Sequence, residues 1–245
     1  MIIRTFNLVW LVLVLLLVAT VIILSKMFKN KSQNIKDKFM IIFGICNIIY
    51  FVLYKVWLYF DDFEFIFWKE LPLQLCNINM FFIIISVKTK NKFLTTFSSY
   101  VSPIGAIMAM TFADPSFTNN NIFLLRNLGY YGTHGIIFIM GILLFTLGYQ
   151  KIKFKDILYL LPSILVISLG AYAINNLFGL LVDCKTNYFY TCSHGGVGLL
   201  EMFWNWIPIE YVYLLPVLPI FIVYICILNG CVLLKNLILT KIKKG

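Results

Sequence analysis

Two side chains in this sequence have the chemistry of an acyl-transfer pair. Cys76 lies in the apolar run Leu71-Pro72-Leu73-Gln74-Leu75-Cys76, and His134 lies in Gly132-Thr133-His134-Gly135 of another; the chain has only two histidines. A thiol can attack an acyl carbon and an imidazole can take its proton. Counted from Pro72 at 1.5 Å per residue, Cys76 sits about 6 Å inside its run; counted from Asn127, His134 sits about 10 Å inside its own. The two share a depth. An ionisable residue within an apolar span is a functional-site candidate, because burying it without a partner is costly. The bland readings are a thiol used as small apolar filling and a neutral imidazole donating to a carbonyl.

The elements that must position the pair are membrane helices. The composition is 61% hydrophobic and 17% aromatic with 12% charge, and mean hydropathy is +0.92. So much apolar surface cannot be hidden in one water-soluble core of this length. Apolar runs of spanning length, which need about 20 residues each, fall at 7–25, 39–60, 72–87, 93–112, 127–149, 157–179 and 207–229, the third being short. They do not alternate as barrel strands would. The expected fold is all-α: a polytopic bundle of about seven transmembrane helices, forming one integral membrane domain over residues 1–245.

Lysines set the expected orientation. Lys26, Lys29, Lys31, Lys36 and Lys38 follow the first run; Lys88, Lys90 and Lys92 the third; Lys151, Lys153 and Lys155 the fifth; Lys235, Lys241, Lys243 and Lys244 the last. Basic connections stay cytoplasmic, which places the N-terminus outside and the C-terminus inside. The opposite connections hold Asp61, Asp62, Glu64, Glu70, Asp114, Asp183, Glu201 and Glu210. A multi-pass protein of the cell membrane is expected, with anionic lipids against the cytoplasmic lysines. A net charge of +10 spread over short segments, with no folded basic domain, argues against nucleic acid. The first run is longer than a signal-peptide core and no small-residue cleavage site follows it, so it reads as a retained helix. Cys184 and Cys192 share a connection and could pair if that compartment oxidises. No C-x-x-C or histidine pattern suggests zinc.

Other polar residues gather at the depth of the pair. Pro72 opens the third run, and Gln74, Asn77 and Asn79 flank Cys76. Gly129, Tyr130, Tyr131 and Thr133 precede His134, where the glycines permit close approach of a helix or a lipid chain. Asn175 and Asn176 end the sixth run. The long connection that follows carries Thr186-Asn187-Tyr188-Phe189-Tyr190 and His194-Gly195-Gly196, and it could cap a pocket between the helices. His194 reads as solvated, and most Trp and Tyr here as an interfacial belt.

This constellation resembles a known family. Leu71-Pro72-Leu73-Gln74-Leu75-Cys76 is similar to a Leu-Pro-Leu-(His/Gln)-x-Cys signature. Tyr131-Gly132-Thr133-His134-Gly135 is similar to that family's helix-borne histidine, Ser102-Pro103-Ile104-Gly105 to its proline-glycine span, and Thr186-Asn187-Tyr188-Phe189-Tyr190 to its Asn-Tyr segment. The family is the YwaF-like integral membrane proteins, whose animal relatives are phospholipid acyltransferases. The family's histidine variant in the first motif is Gln74 here, and Leu180 to Lys185 widens the gap before the last motif. The resemblance implies transfer of an acyl chain between lipids through a thioester on Cys76, with His134 as base. It implies phospholipids as donor and acceptor, and neither cofactor nor metal. Gln74, Asn77, Tyr131, Thr133, Asn176, Asn187 and Tyr188 are the expected substrate-binding residues. The competing reading is a transporter, or transporter subunit, binding a small substrate at the outer face; a third is a structural protein without a pocket.

Overall fold

The computed structural model describes residues 1–60, 65–113 and 116–242, with side chains described up to residue 234. Asp61, Asp62, Glu64, Asp114, Lys243 and Lys244 lie outside the described residues. Nine α-helices occur among those described: α1 Leu8–Phe28, α2 Gln33–Phe60, α3 Phe67–Glu70, α4 Leu75–Thr89, α5 Lys92–Thr111, α6 Leu125–Thr146, α7 Ile157–Leu181, α8 Gly198–Trp206 and α9 Val217–Ile242. A two-residue ribbon, Ile2–Ile3 against Asn120–Asn121, ties the start of the chain to the α5–α6 connection.

Six segments are long and apolar enough to cross a membrane: α1, α2, α5, α6, residues 154–181 with α7, and residues 212–234 with α9. The third expected run, 72–87, corresponds to α4, which is only 15 residues, about 22 Å at the helical rise against a hydrocarbon core of about 30 Å. The short α3 and four non-helical residues, 71–74, precede it. The last expected run at 207–229 instead begins its long helix at Val217, after the short α8 and a 3₁₀ turn at Val212–Leu214.

The bundle is built around α5 and α6. Their apolar windows are 67% and 56% buried, against 11% for α1 and for the last span. Leu15, Ile23, Ile42, Leu53, Val166 and Val223 project outward, as lipid-facing side chains do. Small residues let the central helices close up: a Cβ at Gly141 of α6 would stand 2.6 Å from the ring of Pro103. Pro103 lies inside α5, where its missing N–H costs one backbone hydrogen bond.

One end of the bundle is clipped by charge. Asp37 of α2 pairs with Lys90 beyond α4 and accepts from the Tyr149 hydroxyl at 2.8 Å. Nearby connections join through the buried Asp156, which accepts from Tyr100 and from Gln150, each at 2.9 Å. The clips hold α2, α4, α5 and α6 in register, so the opposite end can keep an open cavity.

Candidate active site

Cys76 is the second residue of α4, not five residues into a helix. Leu71 before Pro72 has ψ 148, the extended backbone that a following proline favours, and the helix starts only after Gln74. Gln74 does not cap it through its side chain. Its Oε1 instead accepts the N–H of Phe189 at 2.9 Å, and its Nε2 reaches the carbonyl of Asn187 at 3.4 Å. The first backbone N–H groups of α4 therefore keep their hydrogen-bonding capacity, together with the positive end of the helix dipole. Across from Cys76 stands Gly105 of α5: a Cβ built there would lie 3.5 Å from Sγ.

His134 is in the middle of α6. Its Nδ1 lies 2.7 Å from the carbonyl of Tyr130, one turn back. A carbonyl can only accept, so Nδ1 carries the proton and Nε2 presents a lone pair. The Tyr130 ring packs on the imidazole at 4.4 Å and on Phe117 at 4.2 Å, and its hydroxyl donates to Ala109 at 2.8 Å. The imidazole is held in place from below and from one face.

Both residues line one cavity of about 510 Å³. Its walls include Gln74, Leu75, Cys76 and Asn77 of the α4 start; Gly105, Met108 and Ala109 of α5; and Gly129, Tyr130, Thr133 and His134 of α6. Phe189, Tyr190, Val197, Leu199 and Leu200 enclose it from the long connection, and α7 and α9 add Ile164, Leu165, Leu218 and Phe221. The lining is predominantly apolar with a smaller number of polar groups, as expected for a small-molecule or lipid site.

Of the expected substrate-binding residues, Gln74, Asn77 and Thr133 line this cavity. Thr133 gives its hydroxyl proton to Gly129 at 2.7 Å, so its oxygen is left to accept. Tyr131, Asn176, Asn187 and Tyr188 are not among the lining residues. Tyr131 packs with Ile3 and Met110, and Asn176 donates to the carbonyl of Tyr172 in its own helix. Asn187 folds the loop, donating to Ser193 and accepting the N–H groups of Cys192 and Ser193. The hydroxyl of Tyr188 reaches the carbonyl of Trp68, which fastens the loop to α3.

The glycines around His134 admit side chains of neighbouring helices. A Cβ at Gly132 would meet Tyr50 of α2 at 2.5 Å, and one at Gly135 would meet Leu17 of α1 at 2.9 Å. The residue that makes room beside the thiol is Gly105. Asn79, expected beside the pocket, is instead buried behind it and donates to the carbonyl of Leu75. Cys184 and Cys192 are free thiols. No group of three metal-ligating side chains occurs among the described residues.

Sequence reasoning missed an ion pair in the cavity wall. Lys55 of α2 pairs with Glu70 of α3, about one-fifth exposed on each side. The signal was present: a lysine inside the apolar run 39–60 is an ionisable residue in a span. Its partner could not be read from sequence, since the two belong to different elements.

A family model matches residues 3–234, and its description is the TMEM164 family. The chain belongs to the TMEM164 family. Comparisons with curated proteins and with solved structures found no match. The match extends the resemblance drawn from the four short motifs to nearly the whole chain. Cys76, Gly105 and His134, from three of those motifs, meet around one TMEM164 cavity.

Proposed function

We propose that this TMEM164-family protein is an integral membrane acyltransferase that moves a fatty acyl chain between lipids through a thioester on Cys76. The observation that carries the reading is His134, fixed as the Nδ1–H tautomer by Tyr130, in the same cavity as a cysteine at an uncapped helix start. In the first half-reaction the Cys76 sulfur attacks the ester carbonyl of a phospholipid while Nε2 of His134 takes the thiol proton. The tetrahedral oxyanion lies near the first N–H groups of α4, where fixed donors and the dipole favour negative charge. The ester C–O bond breaks and the leaving oxygen takes the proton back from His134, giving a lysophospholipid and an acyl-cysteine. An acceptor hydroxyl then repeats the steps in reverse order and frees the thiol. The acyl group is already activated as an ester, so no nucleotide enters the scheme.

Orientation and location complete the proposal. The lysine pattern supports a cavity end that faces outward across the cell membrane, with Lys31, Lys90 and Lys153 on the cytoplasmic side. The test is intact-mass analysis of purified protein incubated with a phospholipid. An added acyl mass on the wild type, absent from Cys76→Ala and from His134→Ala, supports the scheme, and the double variant should be no worse than either single one because the two act as a unit. An acyl adduct that survives Cys76→Ala, or no adduct and no transfer in the wild type, sinks it.

The broken crossing at α3 and α4 favours a second reading, since discontinuous helices also build transporter sites. Uptake of a soluble ligand into vesicles that survives Cys76→Ala would favour that reading.

A further inference from the structure

The cavity wall carries cationic groups that the acyl-transfer scheme leaves unused. Lys55 lies in the wall itself, close to the C-terminal end of α2. The end of α2, the start of α4 and the start of α6 belong to the same end of the bundle, because consecutive helices here run antiparallel. On α6, Arg126 precedes Gly129, Tyr130 and Thr133 by three, four and seven residues, the spacing of one helical stripe, and those three residues line the cavity. Arg126 thus continues the cavity stripe one turn outward. Beside Lys55 lies Tyr54: its ring fills the space over Gly129, where a Cβ would stand 2.0 Å from it, and the Lys55 ammonium is 5.0 Å from its centroid.

Neither cation is saturated by what surrounds it. An ammonium has three donors, and Glu70 takes one of them among the described residues. The guanidinium Nε of Arg126 is buried and has no hydrogen-bond partner among the described residues. A buried donor left unmade is costly. Lys55, Lys69 and Glu70 in the lining, with Arg126 one turn beyond it, leave an excess of positive charge at one end of a predominantly apolar cavity, which matches an anion attached to an apolar chain. A planar guanidinium binds phosphate oxygens in pairs, and an ammonium adds a point charge.

We propose that Lys55 and Arg126 form a phosphate-recognition site at the mouth of the cavity, which takes the phosphodiester of an amphiphile whose acyl chain occupies the apolar interior. The placement of the ester against Cys76 rests on the acyl-transfer reading; binding of the phosphodiester does not. Glu70 holds the Lys55 ammonium in position. When the ligand enters, a phosphate oxygen accepts from the remaining donors of Lys55 and from Arg126. The phosphate class could also be met by a water-soluble phosphodiester, but the apolar lining selects the lipid.

The test is native mass spectrometry of the delipidated full chain in neutral detergent, with three probes. These are a diacylglycerophosphocholine, the diacylglycerol with the same chains, and glycerophosphocholine. The zwitterionic lipid has no net charge, so the lysines at the far end contribute little to its retention. Expected is a preference of about tenfold for the phospholipid over the diacylglycerol, falling to near parity in Lys55→Ala and in Arg126→Ala and kept in Lys55→Arg. Thermal unfolding of each variant, and the retained diacylglycerol signal, separate lost recognition from lost fold. Equal retention of phospholipid and diacylglycerol by the wild type overturns the site. So does an unchanged preference in both alanine variants, and so does glycerophosphocholine binding as tightly as the lipid. The Cys76→Ala protein should show the same preference as wild type, so the site can stand even if the acyl-cysteine is never found.

Discussion

Asn175 grips both backbone groups of Tyr188. Its Oδ1 accepts the tyrosine N–H at 2.9 Å and its Nδ2 donates to the tyrosine carbonyl at 3.0 Å. The same amide also holds Thr186 at 2.7 Å and Thr191 at 2.8 Å. One buried side chain near the end of α7 thus fixes the whole segment that walls the cavity. Asn175→Ala should release it and cost roughly 2–4 kcal/mol, because several buried polar groups lose their partners together. Limited proteolysis between residues 182 and 197 should accelerate; an uncut loop and an unchanged melting temperature would show that the segment is held elsewhere.

Gln74 connects that segment to the start of α4. Gln74→Ala removes the acceptor for Phe189 N–H, leaving the left-handed backbone of Phe189 and Tyr190 (φ 57 and 56) without one of its restraints. Acyl-adduct formation at Cys76 should fall by about tenfold while the protein stays folded. Gln74→His keeps an acceptor at this position and should retain most of the signal in the intact-mass assay.

The two glycines nearest the site should respond oppositely. Alanine at Gly105 meets Sγ at ordinary contact distance, 3.5 Å, so the fold should survive with little change. Alanine at Gly129 would collide with the Tyr54 ring at 2.0 Å and should destabilise by about 1–3 kcal/mol, as overpacking does. Thermal unfolding of the two variants side by side reads the contrast, and equal losses would contradict it. Gly105→Phe should shield Cys76 from lipid-like electrophiles.

Burial pushes the Cys192 thiol above its ordinary pKa, and Glu210 nearby adds to the shift. Only the thiolate alkylates. In a background without the other cysteines, iodoacetamide labelling of folded protein should therefore rise with pH at a midpoint above the free-thiol value of about 8.5. The linkage has the same sign: the unfolded chain ionises first, so this group's contribution to stability is complete below that pH and falls as pH rises beyond it. Labelling that follows the free-thiol curve would contradict the burial.

Sidedness has a direct check. In a cysteine-free background, Ser32→Cys and Ser193→Cys should label from opposite sides of the membrane, with Ser193→Cys open to an impermeant reagent from outside. Labelling of both from one side would remove the basis for the proposed outer-face site.

The long spans were legible because lipid-facing runs such as Leu8 to Leu24 are continuous and end in lysines. The shared cavity of Cys76 and His134 was legible because a thiol and an imidazole stand out in so apolar a chain. The break before Cys76 was hidden: Leu71, Pro72 and Leu73 are themselves apolar, so the hydropathy run passes over the extended backbone that proline imposes. Asn187 and Tyr188, which the resemblance implied as substrate-binding residues, stand outside the cavity lining and hold the loop in place, an arrangement that residue type alone does not reveal. Their partners, Ser193, Trp68 and Asn175, are set by the tertiary fold. Lys55 was overlooked within its run, and Arg126 draws notice only once Gly129 and Thr133 are seen to face the cavity.

The bond from His134 to the Tyr130 carbonyl makes the imidazole one-handed. With Nδ1 committed to the backbone, every proton the ring exchanges must pass through Nε2. A departing oxygen and an arriving oxygen would then have to use the same address, and they could do so only by turns. On the acyl-transfer reading, traffic through the cavity would be a revolving door, in which the first product would have to vacate its place before the second substrate could take it.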